Sequence, residues 1–130
     1  MRRCVGGLAV GIVLSVVAAT AASAADSLEI RSGRVPGGAG KKLVVSLTYS
    51  CDPSSGITRI VVKALDEDRK AEGMGEGPTS CDGASHASDI TVESDAQFKK
   101  GDAIDVVASF ADGGGRTVGD AAEAKPLYAE

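Results

Sequence analysis

The only imidazole in the chain, His86, closes a run that also holds hydroxyls and a carboxylate: Ser80-Cys81-Asp82-Gly83-Ala84-Ser85-His86. Serine, histidine and aspartate are the residue types of nucleophilic hydrolysis. That chemistry needs a nucleophile, a base and an orienting acid brought together in space. Proximity along the chain does not supply that geometry. No serine lies in the Gly-x-Ser-x-Gly pattern that lifts a nucleophile onto a sharp turn. His86 therefore reads as a surface or strand-edge histidine, and no catalytic residue is expected.

Asp66-Glu67-Asp68 has the hard oxygen donors that calcium prefers, but the 12-residue calcium-loop pattern is missing. A solvated acidic turn is expected, with no metal. Gly73-Met74-Gly75-Glu76-Gly77 does not match the Gly-x-Gly-x-x-Gly of a phosphate-cradling turn, and it follows no βαβ unit. It reads as part of a flexible loop, and no cofactor is expected. Lys99 and Lys100 are too few for a nucleic-acid patch. Only four aromatic residues are present, two Tyr and two Phe, with no Trp. That is too few for base-stacking platforms or for a sugar-stacking face.

Cys51 and Cys81 are the two cysteines beyond the N-terminal region. In an exported chain they are expected to pair, and only one intrachain pairing exists. An intermolecular bridge or a redox role is the alternative, although redox work favours the Cys-x-x-Cys spacing that is absent. Zinc wants four ligands, which two cysteines and one histidine do not supply.

The expectation of export comes from residues 1–24. Arg2 and Arg3 give a basic start, Val5 to Thr20 an apolar run, and Ala22-Ser23-Ala24 a small-residue cleavage site. This is the anatomy of a secretory signal peptide. The run contains Gly6, Gly7 and Gly11 and falls short of the roughly 20 apolar residues of a spanning helix. Cys4 precedes the run, whereas a lipidated cysteine would follow it. The expected organisation is a signal peptide at 1–24 and one domain at 25–130, secreted and without a membrane anchor after cleavage.

Arg2 and Arg3 account for two of the 14 basic residues, so residues 25–130 carry 12 basic side chains against 18 acidic ones, a net of −6. Such a surface repels phosphate backbones and anionic lipid. There is no Asn and hence no N-glycosylation acceptor. Heavy use of Gly, Ala, Val, Asp and Arg suits a high-GC, actinobacterial genome.

The elements that must position these residues read as strands. Leu43, Val45, Leu47, Tyr49 and Cys51 alternate with Val44, Ser46, Thr48 and Ser50, the period of a half-buried strand. Similar alternation runs through Ile60, Val62 and Ala64, through Ile90 and Val92, and through Ile104, Val106, Ala108 and Phe110. Residues 25–32 and 116–122 complete the set. Asp52-Pro53-Ser54-Ser55-Gly56 and Asp112-Gly113-Gly114-Gly115 are turns by composition. Residues 66–78 read as a polar loop or a short helix at 66–72. Six or seven short strands without a long amphipathic helix predict an all-β antiparallel sandwich.

Thr48-Tyr49-Ser50-Cys51, the run Cys81 to His86, and Phe98-Lys99-Lys100-Gly101-Asp102 ahead of an alternating strand carry a resemblance. The stretch 43–124 resembles small secreted actinobacterial domains of unknown function with an immunoglobulin-like β-sandwich. That resemblance implies a Cys51–Cys81 bridge and no substrate. The expected function is a non-enzymatic binding or structural module with an extracellular or cell-wall partner, its loops 66–78 and 111–117 forming the contact surface. The alternative is a secreted inhibitor of an extracellular enzyme that presents loop 66–78.

Overall fold

Alternating β-formers build β2 (Ala39–Ser50), with Leu43, Val45, Leu47 and Tyr49 all buried as the period requires. The computed structural model describes residues 26–130, apart from the side chains of 119–122. The expected signal segment therefore lies outside the described residues. Around β2 stand β1 (Ser27–Arg34), β3 (Arg59–Asp66), β4 (Ala71–Pro78), β5 (His86–Lys99), β6 (Ala103–Ala111) and β7 (Thr117–Tyr128). A single 3-10 turn at Pro36–Gly38 is the only helical element among the described residues, and no helix is long and apolar enough to cross a membrane.

All strand pairs are antiparallel, in the order β1-β2-β5-β4-β3-β6-β7. The first four have the order of one sheet of a constant-type immunoglobulin sandwich, and the last three that of the other. Here the two layers are continuous, because β3 and β4 pair along their whole length. The sheet wraps round until β1 and β7 lie side by side, almost a closed barrel. Few backbone bonds join those two edges. Glu123 Oε2 instead accepts from the Ile30 amide at 3.3 Å, and Lys125 Nζ donates to the Ile30 carbonyl at 3.0 Å. Side chains thus satisfy edge groups that would otherwise invite another strand.

The inward rows foreseen from alternation fill the interior: Ile60, Val62 and Ala64 on β3, Ile90 and Val92 on β5, and Ile104, Val106, Ala108 and Phe110 on β6. Phe98 and Phe110 are its largest fully buried side chains, each contributing roughly 2–3 kcal/mol relative to exposure.

The sequence reading of 66–78 is corrected. There is no helix and no flexible loop; residues 71–78 form β4, and only a tight turn, 67–70, precedes it. Glycines are poor strand formers, which hid the element. Their spacing nevertheless has the strand period, since Ala71, Gly73, Gly75 and Gly77 face inward while Glu72, Met74 and Glu76 face out. A Cβ on Gly75 would lie 2.1 Å from the Thr91 carbonyl oxygen, and one on Gly73 2.4 Å from that of Glu93. Strand β4 therefore lies directly on the backbone of β5 where the sheet turns its corner. Residues 79–81, where Thr79 follows Pro78, are not part of a strand. Strand β7 forms the edge of the sheet order, and the residues after it are held, with Glu130 and Ala129 exchanging backbone bonds with Gly33, Val35, Gly101 and Asp102.

Candidate functional site

Position along a strand decides which side chains meet on its outer face. Lys63 of β3 stands opposite Met74 of β4 on one side and Val107 of β6 on the other. Glu93 of β5 continues the row beyond Met74. One step along, Leu65 stands between Glu72 and Asp105. These two rows line a groove of about 680 Å³ on the outside of the sheet. Leu65, Met74 and Val107 make its apolar floor. Met74 is 55% exposed and Val107 44%, high values for such side chains on ordered strands. Glu72, Glu93, Asp95 and Asp105 form the rim, with Lys63 at the centre. Toward the other end of β3 the groove runs on into a recess of about 280 Å³, where Arg59 pairs with Glu76 at 3.1 Å.

At the opposite end of the strands, Cys51 follows β2 and Cys81 precedes β5, with their Cα atoms 4.6 Å apart and their sulfurs bonded. The bridge ties the β2–β3 connection to the β4–β5 connection, whereas the bridge of antibody domains joins strands of the two layers. Beside it, Tyr49 packs edge-on against Phe110 at 6.3 Å, and its hydroxyl oxygen accepts from the Ser80 amide at 2.9 Å. Registry places His86 opposite Tyr49, with ring centroids 5.6 Å apart. Its Nε2 lies 2.8 Å from Asp82 Oδ1. That hydrogen bond, helped by the Ala84 amide, holds the Asp82 carboxyl below its ordinary range. Among the described residues no serine oxygen hydrogen-bonds His86. Ser80 meets Tyr49 through its backbone amide.

The acidic run divides. Glu67 and Asp68 are exposed, as a solvated turn requires, but Asp66 has no exposed surface. Its Oδ1 accepts from the Arg69 amide at 3.3 Å, while Oδ2 has no donor facing it. It lies shallow, under the 67–70 turn rather than in the apolar middle. Burial first, and then the neighbouring Asp102 carboxyl, push Asp66 above its ordinary value. Burial would raise Asp102 as well, but the neighbouring Asp66 and the bond from Arg69 Nε outweigh it and hold Asp102 low. Among the described residues no three of His, Cys, Asp or Glu converge as metal ligands.

The groove was not singled out from sequence. Its only sequence signal is that Leu65 and Val107 break the outward polar phase of strands β3 and β6. Met74 was masked by the glycines around it. The chain matches no protein-family model, and no curated protein is similar to it.

Proposed function

We propose that this chain is a secreted, disulfide-braced β-sandwich that works by binding rather than by catalysis, as a recognition or structural module with an extracellular or cell-wall partner. The observation that carries this reading is the outer groove, where Leu65, Met74 and Val107 leave apolar surface open to solvent on a rigid sheet. Concave apolar surface with a few convergent polar groups is the usual form of a binding site. A basic start, an apolar run and an Ala-x-Ala end support export, and a bridged cysteine pair suits an oxidising compartment. The −6 balance disfavours nucleic acid and anionic membrane as partners.

Loop 66–78 is an expected contact surface of the binding module and of the inhibitor alike. Because 71–78 is strand β4, the binding reading moves from that loop to the outer groove, and an inhibitor presenting 66–78 as a protruding loop has less to rest on. The test is retention of a partner from culture medium and cell wall on immobilised protein, run beside a His86→Ala variant. The reading expects a specific partner retained equally by both. Retention of nothing from either fraction, or a hydrolytic activity that disappears with His86, would overturn it.

A further inference from the structure

Four carboxylates surround the apolar floor of the groove, and none of Glu72, Glu93, Asp95 or Asp105 has an ion-pair or side-chain hydrogen-bond partner among the described residues. Elsewhere several acids are partnered, Glu76 with Arg59, Asp102 with Arg69 and Asp89 with Ser46, and the exposed Glu67 and Asp68 of the 67–70 turn are not. Unpaired like charges gathered at one place repel one another, and they favour an incoming cation. Because no three of the described acids converge as metal ligands, the charge is spread around the rim and suits several separated cations better than one ion. Between those charges lie Met74 and Val107, two of the three large apolar side chains that the described residues leave exposed. Met adapts its shape to varied partners.

From this arrangement we infer that the groove takes a cationic peptide segment, seating an apolar side chain on Leu65, Met74 and Val107 with Lys or Arg residues on either side against the rim carboxylates. The inference rests on the binding reading above and names the partner chemistry of that site. Cross-strand neighbours lie about 5 Å apart, and alternate residues along a strand about 7 Å. An extended segment with the order basic, apolar, basic on one face therefore spans the distance from Glu93 across the floor to Asp105. Lys63, at the centre, is placed to meet a backbone carbonyl or a carboxylate of the same segment. A second copy of this chain is a poor occupant, because it would bring its own acidic rim.

The test uses protein exported by an expression host, with the disulfide intact and labelled with ¹⁵N. The probe is a peptide of about nine residues, Lys-Ser-Leu-Ser-Lys-Ser-Leu-Ser-Lys, with Lys and Leu alternating on one face. One control replaces each Lys by Glu, and a second replaces each Leu by Ser. The expected result is amide shifts confined to the strand segments around 63–65, 72–74 and 105–107. Affinity should fall at least tenfold between about 50 and about 500 mM salt, as screening demands. The Glu peptide should not bind, and the Ser peptide should bind at least about tenfold more weakly. The double variant Glu72→Lys with Asp105→Lys, both at exposed positions, should lose binding to the Lys peptide while its spectrum remains that of the folded protein. A Met74→Ser variant should lose the advantage of the Leu-containing probe over its Ser control.

Equal binding of the Lys and Glu peptides, shifts elsewhere on the surface, or no binding at millimolar peptide would each overturn the inference. So would sedimentation as a dimer that Met74→Ser dissociates. Those outcomes leave the binding reading standing if the retained partner of the preceding test is still captured. That reading falls only by the outcomes given with it.

Discussion

Asp66 and Asp102 shift one another in opposite directions: the buried carboxyl of Asp66, under the β3–β4 turn, is raised by burial and by Asp102, whereas Asp102 accepts from Arg69 Nε and is held low. Oδ2 of Asp66 faces no donor. The Arg69–Asp102 pair fastens the β3–β4 turn to the β5–β6 turn at one end of the sheet.

The two carboxyls pull stability in opposite directions with pH. Asp66, raised above 3.8, adds stability that is full below that value and is lost as pH rises through its folded pKa. Asp102, lowered below 3.8, adds stability present above that value and lost as pH falls through its folded pKa. Asp66→Asn keeps an acceptor for the Arg69 amide, and it cannot ionise. Urea midpoints measured from about pH 3 to pH 8 should therefore decline less on the alkaline side for the variant than for the parent. The acid-side decline should remain in both. Identical alkaline limbs would show that Asp66 is not raised in the folded protein.

The Cys51–Cys81 bridge closes a loop with a sequence separation of 30. On the chain-entropy account its removal costs about 3.5 kcal/mol. A Cys51→Ala, Cys81→Ala double variant should unfold in urea at a stability lower by about that amount, a large part of the 5–15 kcal/mol typical of such domains. A loss below about 1 kcal/mol would place the stability elsewhere.

Gly75 sits where a methyl group would strike the Thr91 carbonyl oxygen at 2.1 Å. Gly75→Ala should cost about 3 kcal/mol or more by forcing β4 off β5. Gly113, with nothing within 4 Å of its ideal Cβ, is the control, and Gly113→Ala should change stability by no more than about 0.5 kcal/mol. Thermal unfolding of both variants reads the difference.

The Ile30 amide depends on a side chain from β7, Glu123, at 3.3 Å. In Glu123→Ala its hydrogen exchange should quicken about fivefold, the effect of one net hydrogen bond of about 1 kcal/mol. The Val45 amide, in the middle of β2, should keep its protection. Equal changes at both would mean global destabilisation rather than a loosened β1–β7 seam.

Most of the interior was legible from residue order. The alternation of Leu43, Val45, Leu47 and Tyr49, and that of Ile104, Val106, Ala108 and Phe110, identified strands and their buried faces together. Strand β4 was not legible, because its inner face consists of Ala71 and three glycines and therefore carries no hydrophobic signal. Asp66 was equally opaque. It stands beside the exposed Glu67 and Asp68, and only the fold of the turn and the approach of Asp102 separate it from them.

Period-two alternation follows from backbone sterics within a few residues, so the sequence by itself determined the all-β class, the inward rows and the single possible intrachain cysteine pair among residues 25–130. Tertiary structure alone decided which strands became neighbours and in what register. That choice placed Leu65, Met74 and Val107, with their ring of carboxylates, on one outer face. The floor residues meet because β4, β3 and β6 pair in register, and Glu93 and Asp95 of β5 join them across the corner where the glycines of β4 let two backbones approach closely.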